Sequence, residues 1–106
     1  RLPGHPQKAL ADKYLPKGCS GVISLSLKGG REAGARFIDS LKMISLEVHV
    51  ADIRTCVLHP ASHTHRQLTD EQLLEAGVRP DLIRLSVGIE NAGDIITDIE
   101  QALEQI

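Results

Sequence analysis

Two stretches of the chain alternate apolar and polar residues with a period of two. In Val22 to Lys28, Ile23, Leu25 and Leu27 stand against Ser24, Ser26 and Lys28. In Asp81 to Glu90, Ile83, Leu85, Val87 and Ile89 stand against Arg84, Ser86 and Gly88. Such alternation predicts half-buried strands, each with an aliphatic face for a core and a polar or small face opposite. Arg54 to Leu58 reads as a third strand, closed by Pro60, and Met43 to Val50 as a short extended piece.

The period lengthens elsewhere. Arg31 to Leu41 places Ala33, Phe37 and Leu41 at i, i+4 and i+8 with Ile38 beside them, which predicts a helix after the Gly29-Gly30 break. Gln7 to Leu15 is a short amphipathic helix with Leu10, Ala11 and Tyr14 on one face, begun near Pro6 and stopped by Pro16. Lys17 to Gly21 is a turn. Thr69 and Gln72 have the spacing of a capping box, opening a helix through Ala76 that Gly77 ends. Asn91 to Asp94 caps a last helix striped by Ile95, Ile99, Leu103 and Ile106. Residues 1–6 read as a connector and residues 59–68 as an irregular loop. The order suggests an α+β two-layer sandwich: a small, mostly antiparallel sheet with helices on one face and the other face open.

Composition narrows the class without naming it. A length of 106 residues fits one domain with a modest core, and the aromatic residues are only Tyr14 and Phe37, so that core is aliphatic. Twelve basic against fourteen acidic residues give no nucleic-acid or membrane footprint, and no apolar run suits a spanning helix. Cys19 and Cys56 lack a CxxC spacing and read as buried free thiols of a reducing, cytoplasmic setting. The chain opens Arg1-Leu-Pro-Gly-His-Pro6 without an initiator Met, as though taken from something longer.

Three features have chemical potential. Arg84, alone among small neighbours on the polar face of its strand, suits bidentate capture of a carboxylate or phosphate, against the plainer reading of a surface ion pair. His59, His63 and His65 have a spacing that can ligate zinc, but no carboxylate is placed to orient them, and a polar loop of partly exposed histidines is the simpler reading. Gly29-Gly30 lacks the GxGxxG or GxxxxGK[ST] pattern and reads as a strand-to-helix turn.

Two segments go further. Thr55-Cys-Val-Leu-His-Pro-Ala-Ser-His-Thr-His-Arg-Gln-Leu-Thr69 and Ala76-Gly-Val-Arg-Pro-Asp-Leu-Ile-Arg-Leu-Ser-Val-Gly-Ile-Glu90 closely resemble the C-terminal domain of the fold-type I pyridoxal-phosphate (PLP) enzymes of cysteine and methionine metabolism. Tyr14-Leu-Pro-Lys-Gly18, Lys28-Gly-Gly-Arg-Glu-Ala33 and Phe37-Ile-Asp-Ser-Leu-Lys42 look most like the O-acetylhomoserine sulfhydrylase branch. Cystathionine γ-synthase, γ-lyase and methionine γ-lyase share the Arg84 motif.

The resemblance implies several things about sites. Arg84 matches the arginine that binds the substrate α-carboxylate, and Thr64 matches a threonine near the active site. His49 stands where the family usually has Ser or Asn helping to hold that carboxylate, and Val50-Ala51-Asp52 replaces the usual Leu-Gly-Asp. The lysine and phosphate-binding groups for PLP belong to a large domain upstream. This chain is therefore expected to hold no cofactor-binding or catalytic residue, to be inactive alone, and to come from a homotetrameric parent. An expectation of another class is a stand-alone amino-acid-binding or interaction module using the same sheet face.

Overall fold

The computed structural model, which describes residues 2–106, has its elements in the order α1 (Lys8–Tyr14), β1 (Val22–Ser26), α2 (Gly30–Ser40), β2 (Ser45–Leu46), β3 (Cys56–Leu58), α3 (Asp70–Glu75), β4 (Leu82–Ser86) and α4 (Ala92–Leu103). The expected connector is a run of turns over the described residues 2–7, Arg1 lying outside them. The sheet order is β1-β4-β3-β2. Central β4 runs antiparallel to β1 and to β3, while β2 joins β3 in parallel. The sheet is mostly antiparallel, as the order of elements suggested.

Register puts the aliphatic residues together. Leu25 lies opposite Ile83, and both Ile23 and Val57 lie opposite Leu85. Against this face α2 buries Ala33, Gly34, Phe37 and Ile38, and α4 buries Ile95 and Ala102. With Leu27 and Ile44 they form an aliphatic core around one phenylalanine. Full burial of such side chains stabilises by about 1.5–3 kcal/mol each, so these two helices hold the layer in place.

Turn chemistry fixes where elements begin. Gly29 and Gly30 have φ of 103° and 68°, a left-handed pair that a side chain would strain, and α2 starts there. Thr69 and Gln72 make the reciprocal capping box of α3, and the Asn91 side chain accepts from the Gly93 N–H at the start of α4.

Several expectations are corrected. β4 ends at Ser86, and Ile89, read as core, is 82% exposed. A Cβ on Gly88 would collide with the Ile53 carbonyl, so the chain leaves the pleat to pass close to the segment before β3. α1 buries nothing, and Leu10 and Tyr14 are exposed. The α4 stripe fades at Leu103 and Ile106, while Asp98 is buried beside Ile95 and Ala102. Its carboxylate accepts from the backbone N–H groups of Lys42, Met43 and Ile44, each at 2.9 Å, which joins α4 to the chain entering β2. Cys56 is a buried thiol, but Cys19 is exposed.

The second sheet face is not open throughout. Ser24 and Ser26 are exposed, yet Cys56, Leu58 and Ser86 are buried on that side. The segment 47–54 covers them. Ala51 N–H donates to Ser86 Oγ at 3.2 Å, and Thr55, whose N–H and hydroxyl both donate to the Glu90 carboxylate, closes the segment's far end.

Candidate functional site

Arg84 sits at the middle of β4, in register with Ser24 on one side and Leu58 on the other. The period-2 pleat places it opposite the core, and its side chain is partly buried. It is not left over, as the sequence suggested: Nη2 donates to the carbonyl oxygen of Val48 at 2.7 Å. Among the described residues that single bond leaves most of the guanidinium's five donors uncommitted.

Next to Val48 is His49. Its Nδ1 lies 2.8 Å from Glu47 Oε2 and 3.5 Å from Asp52 Oδ2. The other oxygen of each carboxylate turns to Arg54: Glu47 Oε1 accepts from Nη2 at 2.7 Å, and Asp52 Oδ1 accepts from the backbone N–H at 2.9 Å. The Arg54 backbone N–H holds the Asp52 carboxyl below its usual value; partial burial opposes this, and the charges of Arg54 and His49 reinforce it. Two carboxylate groups thus face Nδ1. Carboxylates only accept, so Nδ1 bears the proton. The sequence reading named His49 but passed over Glu47, Asp52 and Arg54, although the run Glu47-x-His49-x-x-Asp52-x-Arg54 is dense in charge.

The 59–68 loop forms the other wall. His59, expected partly exposed, is fully buried, and its Nε2 donates to the Pro80 carbonyl at 2.8 Å. A Cβ on Gly34 would lie 2.7 Å from that nitrogen, so only glycine on α2 lets the ring in. Burial pushes the imidazole toward its neutral form, the Pro80 bond offsetting part of this, and among the described residues Nδ1 has no partner. The His59 carbonyl in turn accepts from His63 Nδ1 at 2.9 Å. Arg31 ties the loop to α2 through Asp70, the Ala61 carbonyl and the Leu68 carbonyl.

Between the walls is a hollow of about 500 Å³ lined by Leu46, Glu47, Val48, His49, Leu58 and His63. It adjoins Arg84 through Val48 and Leu58. His49 and His63 thus share one hollow, whereas Thr64 is exposed and its hydroxyl pairs with His65 Nδ1 at 2.9 Å. His59, His63 and His65 do not converge: each uses a ring nitrogen on a different oxygen, the Pro80 carbonyl, the His59 carbonyl and the Thr64 hydroxyl.

Lys8 pairs with Asp12, Lys13 lies over the Tyr14 ring, Lys17, Lys28 and Lys42 are exposed, and none lines the hollow. No described helix is long and apolar enough to cross a membrane.

Comparison with known proteins identifies relatives of the whole chain. The chain is 46% identical over 102 residues to O-acetyl-L-homoserine sulfhydrylase 1 of Thermus thermophilus, covering 96% of this chain and 24% of that one. It is 47% identical over 105 residues to the L-methionine gamma-lyase of Fusobacterium nucleatum, covering 99% and 26%. A crystal structure of a putative O-acetylhomoserine (thiol)-lyase from Campylobacter jejuni, containing a pyridoxyl-lysine, superposes with a TM-score of 0.83 at 36% identity, over 97% of this chain and 24% of that chain. The chain thus spans about a quarter of the length of these relatives. The profile of the Cys/Met metabolism PLP-dependent enzymes matches residues 1–104, and the chain belongs to that family.

Proposed function

We propose that this chain is the substrate-side, C-terminal domain of an O-acetylhomoserine sulfhydrylase-like enzyme, which replaces the γ-substituent of an activated homoserine with a sulfur nucleophile. The observation carrying the proposal is Arg84, mid-strand beside an apolar hollow with most of its donors free. A planar guanidinium in that setting recognises a carboxylate through two parallel bonds. Arg84 binds the amino acid's α-carboxylate and displaces the Val48 carbonyl. His49 and Thr64 border the substrate, His49 meeting it through Nε2 because Nδ1 is committed to Glu47 and Asp52.

PLP, which supplies the electron sink of this chemistry when bound, is held by the part of the parent outside residues 1–106. This chain's contribution is to orient the amino acid and to wall the sulfur side of the site. In this reading the parent is a cytoplasmic homotetramer. Relatives named as sulfhydrylases favour γ-replacement over the γ-elimination of the Fusobacterium lyase.

The test is homocysteine release from O-acetylhomoserine and sulfide. The full-length protein is expected to be active and residues 1–106 alone inactive. A full-length protein that releases none, or an active 106-residue chain, contradicts the proposal.

A further inference from the structure

The nitrogen of His49 that faces carboxylates fixes what its other nitrogen can do. With Nδ1–H donated to Glu47 and Asp52, the neutral ring presents a bare lone pair at Nε2. His63 is in the same state. Its Nδ1 meets the His59 carbonyl, an acceptor only, so its Nε2 is bare as well. Both rings line the hollow beside Arg84. A substrate carboxylate, itself all acceptor, gains nothing from two bare lone pairs. The hollow suits a proton donor, and its remaining walls, Leu46, Val48 and Leu58, suit a weakly hydrated one.

We infer that this hollow is the thiol subsite of the reaction proposed above, with His49 Nε2 as the base that takes the sulfur's proton. The inference rests on that proposed reaction. In the step, the S–H bond breaks, its electron pair stays on sulfur, and the proton forms an N–H bond at Nε2. A thiolate and an imidazolium result. Glu47 and Asp52 face the new positive charge, and Arg54 fixes the orientation of both carboxylates. The thiolate is then released beside the amino acid on Arg84. His49 is 59% exposed, and it returns the proton to solvent. Glu47 and Asp52 are positioning residues, since they act through the ring. The arrangement repeats the carboxylate–imidazole pairing by which hydrolases orient a general base, used here on sulfur.

The experiment uses the full-length protein carrying PLP, with methanethiol as the varied substrate. His49→Gln is expected to lower kcat/KM for the thiol by about 10²–10⁴-fold near neutral pH, and kcat/KM for O-acetylhomoserine, which the same ring borders, by far less. The deficit shrinks as pH rises, because the thiol then arrives ionised. Glu47→Gln with Asp52→Asn loses part of the same factor. The charged and titratable groups around His49 are Glu47, Asp52 and Arg54 on its own segment, Arg84 on β4 and His63 across the hollow, so the profile is read against Arg54→Gln and His63→Gln controls. Nitrogen NMR of the imidazoles in this chain is expected to show the Nδ1–H form of His49. A thiol profile for His49→Gln that parallels wild type, or an Nε2–H ring, overturns the inference. A wild-type protein with no γ-replacement activity overturns instead the reaction on which it rests.

Discussion

Arg84 and Val48 are joined by one hydrogen bond, Nη2 to carbonyl oxygen, at 2.7 Å, across 36 residues of sequence. The bond links the middle of the central strand to a segment with no regular structure of its own. It gives that segment a fixed place in the free chain, and in the proposed function it sets the guanidinium where the substrate carboxylate would meet it.

Arg84→Met in this chain should cost about 1 kcal/mol, the net worth of one exposed bond. The effect is local. Amide hydrogen exchange over residues 48–53 should accelerate while β4 and α2 stay protected. Equal protection of residues 48–53 in both proteins would mean the segment is held by other contacts.

Ala51 is the one described residue other than glycine with positive φ, at 61°. A left-handed backbone strains any residue with a Cβ, so Ala51→Gly relieves the strain while making the unfolded chain freer. The net expectation is a gain of about 0.5–1 kcal/mol in urea unfolding. A loss would show that the Ala51 methyl has contacts worth more than the strain.

The buried His59 gives an acid-side dependence. Its folded-state pKa lies below the ordinary value, so its neutral form favours folding fully above about pH 6.5 and that contribution fades as pH falls below it. Unfolding midpoints compared at pH 7.5 and 5.5 should therefore drop more for the wild type than for His59→Gln, which keeps a donor for Pro80 and cannot titrate. Gly34→Ala, which drives a methyl into the same ring, should destabilise by about 1–3 kcal/mol at both values.

Asp98 works at lower pH. Burial alone would raise its carboxyl, but donation from Ile44, Lys42 and Met43, with Gln101 added, outweighs burial and lowers it. A lowered carboxyl stabilises above its unfolded value near 3.9 and loses that contribution as pH falls through the folded one. Asp98→Asn should cost about 2–3 kcal/mol at pH 7, and the cost should shrink toward pH 3 when followed by chemical denaturation. A pH-independent cost would place the effect in packing instead of charge.

Much of this was legible in sequence where a local rule governs. The alternation of β1 and β4, the spacing of Phe37 and Ile38, the capping box at Thr69 and the Asn91 cap all require only neighbours along the chain. The failures have a common cause. Ile89 alternates correctly yet is exposed, because Gly88 follows the backbone of Ile53 and Arg54. His59 reads as a loop residue, and its burial depends on the missing side chain of Gly34 twenty-five residues earlier. Asp98 interrupts an apolar stripe because it answers three N–H groups over fifty residues away. At the candidate site, resemblance pointed to Arg84 and His49, but the tautomer of His49 follows only from where Glu47 and Asp52 lie in space. Such distant partners leave no periodic signal.

The central claim is that Arg84 holds the amino acid's carboxylate, and steady-state kinetics of Arg84→Gln in the full-length protein test it most directly. Loss of a charge-assisted pair of about 1.5–3 kcal/mol predicts a kcat/KM for O-acetylhomoserine about ten- to a hundredfold lower, with KM for the sulfur donor unchanged. An unchanged kcat/KM for O-acetylhomoserine would contradict it.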